Sequence, residues 1–284
     1  VVMGIIDRYI SHTIDWTIFT HLDVIGIDEI ALKKGHKDFV TIVTARIKGE
    51  TIILGVVKGR KKETVKAFLR TIPRYLRQSV HSVCCDMYDG FINAAKEVFG
   101  KRMKIIIDRF HVAKLYRKGL DNLRQRELRR LKEILSEEAY KKLQGAMWAL
   151  RKSETDLKDR DNEVLSQLFM YSPQLKMAYD FCQELTGIFN LDMTKRQGKK
   201  QLRDWMKRVT KSDLTCFNRF MKTLSNWLDE VANYFLSRLT SGFVEGLNNK
   251  IKVIKRRCYG ILNPTHLFQR IHLDLSGYAI FAYD

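Results

Sequence analysis

Residues 23–58 alternate apolar and polar positions with a period near two, and turn residues interrupt the pattern twice. The spacing predicts three strands in succession: LDVIGIDEIAL, FVTIVTARI and TIILGVV, with Lys48-Gly49-Glu50 as a tight turn between the last two. A helical period follows at 62–78, and Pro73 should kink or end that helix. SVHSVCCDMY reads as a short apolar strand ending at Asp86. Asp89 can cap the next helix, GFINAAKEVFG, which Gly100 closes. KRMKIIIDRF is a fifth strand, ending near Asp108.

From about 111 to 240 the pattern is helical only. Apolar spacing with dense charge predicts helices at 112–135, 137–151, 162–189, 197–209 and 213–236. KSETDLKDRDNE reads as a polar connection, and Trp148, Trp205 and Trp227 as core anchors. In SGFVEGLNNKIKVIKRRCYG, residues 241–260, Val244, Leu247, Ile251 and Ile254 form a buried helical stripe. Glu245, Asn249, Lys252 and Arg256 form a second stripe beside it. Pro264 follows the end of that helix, and a last amphipathic piece completes the chain.

Composition narrows the partners. The chain has 284 residues, 45% of them hydrophobic, enough for one large domain or a domain with a sizeable insertion. Lys plus Arg number 51 against 32 Asp plus Glu, a formal net charge of +19 with a pI near 9.7. An excess on that scale implies a polyanion, nucleic acid ahead of membrane. No apolar run of about 18 residues appears, and no secretory signal is recognisable. Cys84, Cys85, Cys182, Cys216 and Cys258 make no C-x-x-C pair, which argues against a structural zinc site and fits reduced thiols. The chain holds no P-loop, and no Ser-His-Asp or Cys-His arrangement can be read from it.

Three acids stand where chemistry can use them: Asp28 inside the first strand, Asp86 at the end of the fourth, and Glu245 on the late helix. Asp28 shares its strand face with Gly26 and Ile30. Carboxylates brought close repel unless a metal neutralises them. Two Mg²⁺ ions about 3.5–4 Å apart would let such a set activate an attacking oxygen and stabilise a leaving one. The plainer reading makes Asp28 a strand-end acid, Asp86 a helix cap and Glu245 a partner of the helix dipole. Asp108 is either a fourth acid near the site or a solvated strand end.

These residues resemble the catalytic part of bacterial insertion-sequence transposases of the DDE type, in particular the ISL-three group. The matching pieces are GIDEIALKKGHKDFVTIV, GRKKETVKAFL, CCDMYDGF, DRFHVAKL, MWALRK and SGFVEGLNNKIKVIKRRCYG, which together span roughly residues 20–275. The resemblance implies an α/β, RNase H-like mixed sheet in the order β-β-β-α-β-α-β-α, with a large all-helical insertion before the catalytic helix. Residues 1–20 would be the tail of an N-terminal zinc and helix-turn-helix region that is otherwise missing. The core would run over 21–111 and 241–284, and the insertion over 112–240. Asp28, Asp86 and Glu245 would be the catalytic metal-binding triad, holding Mg²⁺ with Mn²⁺ as a substitute. Lys250, Lys252, Lys255, Arg256 and Arg257 would lie along DNA, both transposon ends and target. A homodimer on DNA in the bacterial cytoplasm, associated with the nucleoid, is the corresponding assembly. The principal alternative is a truncated transposase remnant that binds DNA by charge and catalyses nothing; a nuclease acting on RNA or hybrids is the third reading.

Overall fold

A computed structural model describes residues 2–33, 37–239 and 242–281. The boundary expected at 240–241 falls outside them. The chain divides into two compact units, Val1–Asp108 with Leu239–Asp284, and Arg109–Arg238.

The first unit opens with helix α1 (Val2–Tyr9). Then come strands β1 (Val24–Lys33), β2 (Lys37–Ile47) and β3 (Glu50–Lys58). Lys48 and Gly49 both adopt positive φ, as the two-residue β2–β3 turn requires. The helical stretch after β3 is split as Pro73 dictates, into α2 (Lys62–Thr71) and α3 (Arg74–Ser79). Strand β4 (Ser82–Cys85), helix α4 (Asp89–Phe99) and strand β5 (Lys104–Ile107) follow. The five strands form one mixed sheet in the order β3-β2-β1-β4-β5, with β1, β2 and β3 antiparallel and β1, β4 and β5 parallel. The α/β mixed sheet expected from the sequence is present.

The second unit is helical throughout its described residues: α5 (Arg109–Ile134), α6 (Glu137–Lys141), α7 (Ala146–Ala149), α8 (Asp159–Tyr171), α9 (Pro173–Asn190), α10 (Lys195–Lys211), α11 (Asn218–Asn226), α12 (Leu228–Ala232) and α13 (Tyr234–Ser237), with two short 3₁₀ turns. Its core gathers on Trp205, fully buried, whose indole meets Phe181, Phe217 and Phe220 edge-on and donates to the Phe181 carbonyl at 3.0 Å. Trp148 differs from expectation. It is 62% exposed, and the Arg151 guanidinium lies over its ring at 5.8 Å. Three expected helices are broken. Gly145, at φ +94°, separates α6 from α7, Ser172-Pro173 separates α8 from α9, and Trp227 ends α11.

The chain then completes the first unit with α14 (Gly242–Arg257) and α15 (Pro264–Phe281). Leu247, Ile251 and Ile254 of α14 join Leu267, Phe268 and Ile271 of α15 against Ile30, Leu32, Val40, Ile42 and Ile53 of the sheet. Helices α2 and α4 pack together across the opposite face, where Gly55 admits the Phe68 ring. On the α14 face, Gly26 does for Val244 what Gly55 does for Phe68. A Cβ at Gly26 would lie 2.4 Å from Val244 Cγ2 and 2.5 Å from Thr44 Oγ1. The helix can therefore approach β1 only over a bare backbone. Gly26→Val should cost about 1–3 kcal/mol of stability. Urea denaturation of the purified chain measures it, and an unchanged midpoint would show that α14 sits elsewhere.

Candidate active site

β1, β4 and β5 run parallel with Ile27, Cys85 and Ile107 side by side. The next residue of each chain segment is an aspartate: Asp28, Asp86 and Asp108. Two residues back, Gly26, Cys84 and Ile106 face α14, and Cys84 and Ile106 form a small apolar cluster with Val24 that Leu239 and Phe243 cover. By the period-two alternation the aspartate row continues that same face at the carboxyl ends of the parallel strands. In open α/β sheets ligands collect at such ends.

Asp28 and Asp86 are half-buried, and each offers a carboxylate oxygen within 4.8 Å of the other. Asp28 is held from both sides. Its Oδ1 accepts the Glu29 backbone N–H at 2.7 Å, and its Oδ2 accepts Asn248 Nδ2 at 2.6 Å. Asp108 is 1% exposed, so the strand end is buried and not solvated. Its charge, together with burial as the larger cause, pushes the Cys84 thiol up to about 12. That thiol is an inert core group at neutral pH.

Asp86 is followed by a tight turn in which the Tyr88 N–H donates to the Asp86 carbonyl at 2.7 Å. Tyr88, not Asp89, is the residue preceding α4, and Asp89 occupies the first helical turn. The alternation that sends Asp28 toward α14 sends Glu29 to the opposite face. There one guanidinium nitrogen of Arg60 donates to both carboxylate oxygens of Glu29, at 2.8 and 3.1 Å. The Arg60 guanidinium also lies over the rings of Phe39 (4.7 Å) and Tyr88 (5.2 Å). One cation thus ties β1, β2 and the turn after Asp86 together directly behind the aspartate pair.

Glu245 lies in the first turn of α14, and its side chain is exposed. Among the described residues its carboxylate is not in the set of ligand atoms within 4.8 Å that contains Asp28 and Asp86. It is one helical turn from Asn248, the residue that touches Asp28. Lys250, Lys252, Arg256 and Arg257 are also exposed, with Lys252 and Arg256 along the Glu245 stripe. Lys255 turns inward instead. Its ammonium donates to the carbonyls of Ala31 and Leu32, both at 2.7 Å, and burial lowers its pKa.

Arg60 and Asn248 are site residues beyond those expected from the sequence, and Arg60 lies in the GRKKETVKAFL motif. Asn248 is the single polar residue inside the apolar stripe, between Val244, Leu247 and Ile251.

The chain has relatives. A family model described as transposase, of the DDE ISL-three type, matches residues 25–271. The chain belongs to that family. It is similar to the transposase for insertion sequence element IS1001 of Bordetella parapertussis, 27% identical over 267 residues, covering 93% of this chain and 63% of that protein. It is also similar to the transposase for insertion sequence element IS1557 of Mycobacterium tuberculosis, 23% identical, covering 92% of this chain and 62% of that protein. The chain thus spans less than two thirds of the length of these curated relatives. Among solved structures, the Drosophila P element transposase strand transfer complex aligns at TM-score 0.45 and 13% identity, over 89% of this chain and 76% of that one.

Within this family member, the two carboxylates supply the hard oxygen donors that divalent cations of the Mg²⁺ class take. Like charges this close favour such an ion between them. The donor set fits the metal that the resemblance implies. The brace behind it has a measurable weight. Arg60→Ala removes an ion pair in which one guanidinium nitrogen spans both Glu29 oxygens, together with two cation–π contacts, and should lower stability by about 1–2 kcal/mol. Equilibrium denaturation tests this, and a loss indistinguishable from zero would mean that Arg60 braces nothing.

Proposed function

We propose that this chain is the catalytic portion of an insertion-sequence transposase that cleaves DNA at element ends and joins the freed 3′-hydroxyl to target DNA. The observation that carries the reading is the Asp28–Asp86 pair at adjoining parallel strand ends, in a family member of formal net charge +19. A protein that only held a polyanion would gain nothing from paired carboxylates, which repel phosphate. That contrast favours an enzyme over a binding remnant.

In the proposed reaction the oxygen of water, or of a DNA 3′-hydroxyl in the joining step, forms a bond to a backbone phosphorus. The bond from that phosphorus to the 3′-oxygen of the cut strand breaks, and the leaving oxygen takes the electron pair and a proton. Asp28, Asp86 and Glu245 are the residues that would hold Mg²⁺, with Mn²⁺ able to replace it. When bound, such an ion supplies charge stabilisation for the attacking and leaving oxygens. Asp28 and Asp86 contribute orientation, because their strands fix the backbone from which each carboxylate projects. Glu245 would supply a third acid from α14, starting from outside the 4.8 Å set to which Asp28 and Asp86 belong. The exposed cations of α14 meet backbone phosphates, releasing counterions as they do. Two element ends call for two copies of the chain on DNA, at work in the bacterial cytoplasm on nucleoid DNA. Among the described residues no helix is long and apolar enough to cross a membrane.

Asp28→Asn and Asp86→Asn should each abolish nicking of a supercoiled plasmid in Mg²⁺ or Mn²⁺ while filter-binding affinity for DNA stays within about twofold. Wild-type cleavage by either variant would refute the assignment. Cleavage by neither variant nor the parent, with binding intact, would support the remnant reading. The cations can be sorted by salt dependence. Lys252→Ala and Arg256→Ala should each flatten the plot of log affinity against log salt by about 1. Lys255→Ala should leave that slope unchanged, because its ammonium is already engaged by β1.

A further inference from the structure

Asn248 is 3% exposed, inside a stripe whose other members are apolar. One end of its amide is well used, since Nδ2 donates to Asp28 Oδ2 at 2.6 Å across 220 residues of sequence. The other end is not: Oδ1 is buried and finds no hydrogen-bond partner among the described residues. An unpaired buried amide oxygen is costly, and a leucine in its place would fill a similar volume without that cost. The position therefore holds asparagine for its donor.

The donor acts on a particular group. Asp28 already accepts the Glu29 N–H on Oδ1, so the Asn248 contact leaves both of its oxygens held, one from β1 and one from α14. Donors on both oxygens fix the orientation of the carboxylate. Held in this way, Asp28 has a carboxylate oxygen within 4.8 Å of one of Asp86. Partners that orient a metal-binding carboxylate from behind typically change metal affinity when removed.

We propose that Asn248 is the positioning residue of the cation site: it sets the Asp28 carboxylate toward Asp86 and couples the loading of that site to the seating of α14. The proposal rests on the reading of Asp28 and Asp86 as cation ligands. It also gives the neighbourhood of Glu245 a mechanical sense, since the helix that carries Glu245 is fastened at the carboxylate the cation would bind.

The test is Mn²⁺ binding to the full chain without DNA, followed by electron paramagnetic resonance, for the parent, Asn248→Leu, Asn248→Ala and Asp86→Asn. Far-UV circular dichroism and thermal melts run in parallel. Asn248→Leu and Asn248→Ala should bind Mn²⁺ roughly 10- to 100-fold more weakly than the parent. Asn248→Leu should keep a native spectrum and melt no lower than the parent, because it also removes the unpaired oxygen. A purely structural asparagine would move the melt and leave Mn²⁺ affinity alone. Parent-like Mn²⁺ binding by Asn248→Leu would overturn the proposal. If the parent binds Mn²⁺ no better than Asp86→Asn, the cation reading itself fails and the proposal falls with it. Should both Asn248 variants unfold, Mg²⁺ titration of the parent labelled with ¹⁵N-asparagine decides. One slowly exchanging side-chain NH₂ pair should shift in the parent and stay fixed in Asp28→Ala, and the absence of any such shift would refute the role.

Discussion

The close seating of α14 along β1 is the constraint on which the site depends. Gly26 lets Val244 reach the strand, Asn248 then falls on Asp28, and Lys255 falls on the carbonyls of Ala31 and Leu32. Strand and helix run in the same direction through these three contacts. Each contact is of a different kind: apolar packing over a bare backbone, an amide on a carboxylate, and an ammonium on two carbonyls. Together they fix helix translation and rotation, which apolar packing alone leaves more tolerant. A helix held this way presents Glu245, Asn249, Lys252 and Arg256 outward as one polar stripe.

Electrostatics divides the sheet end into two faces. Toward α14 lie the aspartates, and burial with the Asp108 charge keeps the Cys84 thiol protonated beside them. On the other face Arg60 binds Glu29 and rests on Phe39 and Tyr88, so the backbone carrying Asp28 and the turn after Asp86 are gripped from behind. Negative charge is thereby concentrated in one small region of a strongly cationic chain. Long-range attraction for a polyanion and local affinity for a divalent cation can then coexist, because screening confines each carboxylate's influence to about a Debye length.

Much of the sheet was legible in the sequence because period-two alternation directly encodes which face a strand residue takes. Asp28 sharing a face with Gly26 and Ile30 followed from that alone, as did the strand ending at Asp86. The split at Pro73 followed from ring chemistry. What escaped has a common cause: it depends on partners far away in the chain. Helical spacing sets Asn248 on the apolar stripe and Asn249 on the polar one, but only the docked strand supplies the carboxylate that makes Asn248 a buried donor. Trp148 carries the same apolar signal as Trp205, yet the fold buries one and leaves the other under Arg151. The helices interrupted at Gly145, Ser172 and Trp227 keep a helical period on both sides of each break, so periodicity could not locate the interruptions. The family motifs drew attention to Glu245, while its exposure on α14 and the contact between Asn248 and Asp28 emerge only from packing.

The central claim is that Asp28 and Asp86 share a divalent cation. Anomalous diffraction from crystals of the chain soaked in Mn²⁺ tests it most directly. The account predicts a peak at about 2.1 Å from an oxygen of each carboxylate, with Asn248 still bonded to Asp28. A map with no peak between the two, or with Mn²⁺ bound only elsewhere, would contradict it.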